Sequence, residues 1–123
     1  NAATRGMIDA AALSAMKPTG VLINVARGPV VEEDALYAAL CDRRIGGAVI
    51  DVWYRYAEPG QPEPWPAHHP FETLDNVLLS AHESGTTEET FARRWDFVAA
   101  NIARVARGAP PLNVVFEGRA APA

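Results

Sequence analysis

Arg27, Asp51 and His82 are residue types that do chemistry, and each closely follows a short apolar run. Val21-Leu22-Ile23-Asn24-Val25-Ala26 leads into Arg27-Gly28, Ala48-Val49-Ile50 into Asp51, and Val77-Leu78-Leu79-Ser80-Ala81 into His82. Such runs predict parallel strands, the first buried on both faces, whose carboxyl ends form the ligand edge of an open α/β sheet. A guanidinium there can clamp an anionic group with two donors, and an imidazole can exchange a proton near neutral pH. Convergence of a cation, a carboxylate and an imidazole on one edge predicts an active site. Each residue also has a plainer use: Arg27 in a surface ion pair, His82 as a structural histidine, Asp51 as the cap of a turn. The place of His82 before Ser84-Gly85-Thr86, where backbone donors can gather, favours function.

The elements that must position these residues alternate along the chain. Asp9 can cap a short helix carrying Leu13 and Met16 on one face, which Pro18 ends. Strand 21–25 follows. Glu32, Glu33 and Asp34 load the first turn of a second helix and Arg43 and Arg44 its last, with Leu36 and Leu40 facing inward and Gly46 as terminator. After strand 47–50, five prolines and Gly60 between residues 53 and 75 exclude regular structure and predict a long ordered loop anchored by Trp53, Tyr54, Tyr56 and Trp65. Strand 77–81 is followed by the longest helix, 88–107. It opens at the capping-box pair Thr86 and Glu89 and carries an inward stripe of Phe91, Trp95, Val98, Ile102 and Val105. Leu112 to Val115 suits a short extended segment and 118–123 a frayed tail. Parallel strands joined by crossovers predict half of a doubly wound α/β sheet.

Composition narrows the partners. With 123 residues, 49% of them hydrophobic and 21% charged, the chain suits one globular domain. A net charge of −4 without a basic stripe argues against nucleic acid. A lone Cys41 precludes an intramolecular disulfide and fits a reducing compartment. No apolar run is long enough to span a bilayer and no secretory signal opens the chain, so the expected location is the cytoplasm. His68 and His69, beside Pro70, are expected to be solvated, and no metal site is expected.

Read together, Met16-Lys17-Pro18-Thr19-Gly20, Leu22-Ile23-Asn24-Val25-Ala26-Arg27-Gly28-Pro29, Leu36, Leu40, Gly46-Gly47-Ala48 and Asp51-Val52 resemble the D-isomer-specific 2-hydroxyacid dehydrogenases. The resemblance continues through Asp75-Asn76-Val77-Leu78-Leu79, His82, Gly85-Thr86 and Leu112-Asn113-Val114. It implies a Rossmann-like fold present as a partial domain. Residues 1–108 would be the second half of the nicotinamide-dinucleotide-binding domain with its closing helix, and 109–123 would return toward a substrate domain. It implies NAD or NADP as cofactor, a small 2-oxoacid or D-2-hydroxyacid as substrate, and a homodimer in the full-length parent, with composition excluding nucleic acid and membrane as partners.

Delivering a hydride to a ketone builds negative charge on oxygen, which must be stabilised and then protonated. By the resemblance, His82 supplies the proton and Arg27 clamps the substrate carboxylate. Glu58, in Glu58-Pro59, orients the imidazole and favours its charged form, with Glu63, also followed by proline, as its rival. Asp51 would contact the nicotinamide carboxamide, and Asn24, Val25, Ala26, Arg27, His82, Ser84 and Gly85 would complete the cofactor contacts. No Gly-x-Gly-x-x-Gly turn for the pyrophosphate occurs. The chain is therefore expected to be the C-terminal portion of a dehydrogenase. Its alternatives are a non-catalytic dinucleotide-binding module of the corepressor type, or an inactive truncated piece.

Overall fold

The computed structural model describes residues 2–60, 62 and 65–115, and the chain divides into two compact units, Asn1–Ser84 and Gly85–Ala123. In the first unit the apolar runs pair as parallel strands β1 (Val21–Asn24), β2 (Gly47–Ile50) and β3 (Val77–Leu79), in the order β1-β2-β3. Leu22 pairs with Ala48 and Ala48 with Val77, while Asn24 pairs with Ile50 and Ile50 with Leu79. Because side chains alternate across a strand, these residues share one face, and Ile23, Val49 and Leu78 share the other. The first face carries the core, where Ala48 and Ile50 pack with Leu13, Leu36, Leu40 and Phe71. The second is open, with Ile23 63% and Leu78 61% exposed. The unbroken run 21–25 therefore does not make β1 a strand covered on both faces. It has one strand neighbour among the described residues, and Val25 lies beyond its end.

Helix α1 (Ala10–Ser14) starts as its sequence dictates, with the Asp9 side chain accepting from the Ala12 N–H at 2.8 Å. It closes at Ala15, three residues before Pro18. Helix α2 (Glu33–Cys41) buries Leu36, Ala39 and Leu40 on the sheet side and keeps Glu33 and Asp34 in its first turn. Arg43 and Arg44 fall beyond its last turn: Asp42 caps it, and Arg43 takes a left-handed φ of 52° that turns the chain away. Gly46 serves a different purpose from helix termination. Its N–H donates to the Gly20 carbonyl at 2.8 Å, and a Cβ there would lie 3.0 Å from the Thr19 carbonyl.

Among its described residues the long loop contains one regular piece, a 3₁₀ turn at Phe71–Thr73, because Phe71 is fully buried and pins it. Trp53 and Tyr54 pack partly against the core, whereas Tyr56 and Trp65 are exposed, so Phe71 is the anchor in their place. The two histidines are not merely solvated. His68 Nδ1 lies 3.0 Å from Glu33 Oε2, the His69 N–H donates to Glu33 Oε1 at 3.1 Å, and His69 Nε2 lies 2.8 Å from Asp34 Oδ1. The His69 ring stacks on Tyr37 at 4.4 Å. Burial pushes the Glu33 carboxyl up, but hydrogen bonds from the His68 side chain and from the His68 and His69 backbone outweigh it and hold the group below its ordinary value. Burial, and then the Glu33 and Asp34 charges, push the Tyr54 phenol up.

The second unit is dominated by α3 (Glu88–Ala106). Its cap is Thr87, one residue later than the Thr86–Glu89 spacing predicts. Thr87 Oγ1 accepts from the Thr90 N–H at 3.0 Å, and Glu89 pairs instead with Arg93 one turn on. Phe91, Trp95, Val98, Ile102 and Val105 recur at helical intervals as expected, but no residue of α3 is buried, so the stripe is not inward. Leu112 to Val115 forms no strand: the Leu112 N–H donates to Asn101 Oδ1 at 2.7 Å and Asn113 has a φ of 54°. The tail at 118–123 lies outside the described residues. Among the described residues no helix is long and apolar enough to cross a membrane.

Candidate active site

Each strand of the sheet delivers one residue of the site at its carboxyl end. At the exit of β1, Asn24 is buried, and its side chain accepts from the Ala26 N–H at 3.2 Å and donates to the Arg27 carbonyl at 3.2 Å. This local closure ends the strand and turns Arg27 outward. Gly28 is required next, because a Cβ there would lie 2.2 Å from the Trp53 carbonyl oxygen. Arg27 is exposed. Its Nη1 donates to the Ala26 carbonyl at 2.6 Å, no carboxylate among the described residues pairs with it, and it borders a hollow of about 590 Å³ with Arg5, Pro29 and Val30. The simple surface ion pair is therefore not its use here.

Asp51, at the end of β2, is 1% exposed and grips the chain leaving β3. Its Oδ1 accepts from the Ser80 hydroxyl at 2.7 Å and the Glu83 N–H at 2.9 Å. Its Oδ2 accepts from the Ser84 hydroxyl at 2.6 Å, and the Ser84 N–H is 3.2 Å from both oxygens. Hydroxyl donation from Ser84 and then Ser80, against the opposing pull of burial and with help from the Glu83 and Ser84 amides, holds this carboxyl down to about 2. Four donors occupy the lone pairs of both oxygens. Asp51 thus works as the clasp of segment 80–84, and a direct contact with a cofactor would have to displace one of those donors.

His82 sits at the apex of the clasped segment with a φ of 61°, a left-handed conformation that histidine adopts more readily than most residues. Its Nδ1 lies 3.1 Å from the Tyr56 hydroxyl, and the two rings are 5.6 Å apart. The Tyr56 oxygen accepts from the Trp53 backbone N–H at 2.9 Å, and the Trp53 indole donates to the Ser80 carbonyl at 2.9 Å. His82, Tyr56, Trp53, Trp65 and Arg55 line a cleft of about 470 Å³. With parallel strands about 4.8 Å apart, the exits carrying Arg27 and His82 stand about 10 Å from one another, astride Asp51.

The remaining sequence candidates fall less centrally. Glu58 is exposed and makes no hydrogen bond or ion pair with the described residues. Glu63 lies outside the described residues. Val25 and Ala26 are exposed beside Arg27, Ser84 is part of the clasp, and Gly85 is exposed at the start of the second unit. Tyr56, Ser80 and Arg55 went unassigned from sequence. The readable signal for Ser80 was its symmetry with Ser84 about His82, two hydroxyls flanking an imidazole near a buried aspartate; Tyr56 carried none beyond its proximity to Trp53.

Residues 1–84 match the D-isomer specific 2-hydroxyacid dehydrogenase, NAD binding domain, family model. The chain belongs to that family. A glyoxylate reductase of Korarchaeum cryptofilum is 38% identical over 112 residues, which are 91% of this chain and 32% of the relative. A D-isomer specific 2-hydroxyacid dehydrogenase of Xanthobacter autotrophicus Py2, solved with NADPH and MES, superposes with a TM-score of 0.70 at 38% identity over 94% of this chain and 44% of that one. The NAD complex of the enzyme from Lactobacillus delbrueckii ssp. bulgaricus gives 0.79 at 27% identity, over 93% and 36%. The chain thus spans about a third of the length of the curated relatives it matches, and its sheet is part of a Rossmann-like domain. At the sheet edge of this 2-hydroxyacid dehydrogenase family member, Val25 and Ala26 offer exposed apolar surface beside the Arg27 guanidinium.

Proposed function

We propose that the protein carries the proton-exchanging and anion-binding half of a nicotinamide-dependent D-2-hydroxyacid dehydrogenase, reducing a 2-oxoacid or oxidising the matching D-2-hydroxyacid with NADH/NAD or NADPH/NADP. The observation that carries this reading is the placing of Arg27, which no carboxylate among the described residues pairs with, and a clasped His82 on either side of Asp51 at one sheet edge. When bound, the nicotinamide supplies or accepts the hydride. Arg27 binds the substrate carboxylate through two parallel N–H donors and draws charge toward the developing oxyanion. His82 passes a proton from Nε2 to the carbonyl oxygen in reduction and takes it back in oxidation.

Asp51 keeps His82 presented by holding the segment on both sides of it. Asn24 shapes the exit that presents Val25, Ala26 and Arg27 to the cofactor, and Ser84, held by Asp51, borders the same edge beyond His82. Glu58 and Glu63 are the two acidic candidates for favouring the charged imidazole through their negative charge, and Glu58→Gln beside Glu63→Gln in the full-length protein assigns that effect to whichever alters the pH profile. In the same reading residues 1–108 complete a dinucleotide-binding domain and 109–123 lead toward a substrate domain. The protein works as a homodimer in the cytoplasm, where lone Cys41 stays reduced. The decisive experiment is a panel of 2-oxoacids assayed on the full-length protein with NADH and NADPH. Turnover of at least one, abolished by Arg27→Lys and by His82→Asn, is expected; no oxidation of either cofactor with any 2-oxoacid removes the reading.

A further inference from the structure

We infer that Tyr56 is the positioning residue for His82, taking the Nδ1 partnership that a carboxylate would otherwise hold. The inference rests on the reading of His82 as the proton-exchanging group. It is carried by three distances: Tyr56 hydroxyl to His82 Nδ1 at 3.1 Å, Trp53 backbone N–H to the same hydroxyl at 2.9 Å, and Trp53 indole N–H to the Ser80 carbonyl at 2.9 Å.

A phenol has one hydrogen to donate and two lone pairs to accept with. The Trp53 N–H can only donate, so it occupies one lone pair. One hydrogen and one lone pair remain, both available to Nδ1. When His82 is charged, Nδ1–H donates to the remaining lone pair. After Nε2 has given up its proton, that same bond persists and Nε2 stands bare, ready to take a proton back. When the neutral ring carries its hydrogen on Nε2 instead, the phenol turns its own hydrogen toward Nδ1. The partner atom stays the same in all three states, so Nδ1 is occupied throughout and Nε2 is left as the exchanging atom. A carboxylate accepts only, and could hold Nδ1 in two of the three.

The tether is also continuous with the clasp. Trp53 fixes Tyr56 and is itself fixed to Ser80, whose hydroxyl donates to Asp51, and Asp51 in turn grips Glu83 and Ser84 on the far side of the imidazole. The His82 backbone is held by Asp51 and its ring by Tyr56, from one connected set of hydrogen bonds. Glu58, with no bond to the described residues, is outside that set.

The test is spectroscopic and needs neither cofactor nor turnover, so its outcome is separate from that of the dehydrogenase reading. The full-length protein, without cofactor, is labelled at tyrosine Cζ and at the histidine ring nitrogens and titrated with acid. The Tyr56 Cζ resonance is expected to step together with the protonation of His82, and the step is expected to be lost in His82→Asn. In Tyr56→Phe the His82 Nδ1 resonance moves while Nε2 stays in place, and the Ser84 and Glu83 amides hold their positions because the clasp is intact. A Tyr56 resonance that stays flat while His82 titrates overturns the assignment. So does a Tyr56→Phe chain whose His82 nitrogens are both unchanged.

Discussion

Keeping a charge while losing its shape separates the two uses of Arg27. A surface cation interacts through its charge alone, which lysine reproduces, whereas a carboxylate clamp needs the planar two-donor fork. Arg27→Lys in the full-length protein should therefore cut kcat/KM for a 2-oxoacid by roughly a hundredfold, the scale expected for losing a charge-assisted hydrogen bond at the reacting group. Unchanged steady-state kinetics would return Arg27 to the protein surface. Asp51 yields a prediction in pH. Its folded-state carboxyl is depressed from 3.8 to about 2, chiefly by the Ser84 and Ser80 hydroxyls. A depressed carboxylate stabilises the fold above its ordinary pKa, so this contribution is complete above about pH 4 and fades as pH falls through 3.8 toward 2. Carboxyl carbon titration should show Asp51 protonating well below the other aspartates, with amide exchange at Glu83 and Ser84 quickening over the same range. Titration of Asp51 at an ordinary aspartate value would contradict the clasp. The type and strand-end position of Arg27, Asp51 and His82 were legible in the sequence. Their partners were not, because Asp51 spends its oxygens on donors some thirty residues away and no local pattern encodes that meeting.

Elements whose cause is local were readable, and those whose cause is distant were displaced or missed. The Asp9 cap, the buried Leu36 and Leu40 of α2, and strand β2 at 47–50 lie where periodicity and capping chemistry put them. The end of α2 moved because a left-handed Arg43 stops the helix before Gly46, and Arg43 pairs with Asp75, two residues before β3. The loop 53–75 illustrates the same limit: proline density foretold irregular backbone, but which aromatic side chain enters the core depends on where α2 lies. Phe71 does so, with Tyr37 edge-on at 5.3 Å. Phe71→Ala should thus cost about 3–5 kcal/mol, a large share of the stability of a small domain. Tyr56→Ala, on an exposed ring, should cost far less. Urea midpoints of the two variants measure the contrast, and equal midpoints would show that Phe71 does not anchor the loop. Gly28→Ala tests the close approach of loop and strand exit: a methyl 2.2 Å from the Trp53 carbonyl must push the two apart, lowering stability and disturbing Arg27 together.

At the scale of the whole molecule, the hydrophobic content is spent unevenly. One sheet face is packed under α2 and the loop, while Val21, Ile23 and Leu78 on the other face remain open, and α3 exposes Trp95 by 67% along with Ile102 and Val105. Removing such side chains from water is worth about 1.5–3 kcal/mol each, so several together provide a strong drive to associate. The 123-residue chain should therefore self-associate at micromolar concentration, and its cofactor affinity should be weak, since it has no Gly-x-Gly-x-x-Gly turn to hold the pyrophosphate. Light scattering across a dilution series, paired with calorimetric titration by NADH, measures both. The exposed stripe gives the control: Trp95→Lys with Ile102→Lys should lower the association, because 67% of Trp95 and 65% of Ile102 are exposed. A chain that stays monomeric at all concentrations and binds NADH at micromolar levels would mean that these apolar surfaces are satisfied in solution and that one side of the nicotinamide suffices for binding.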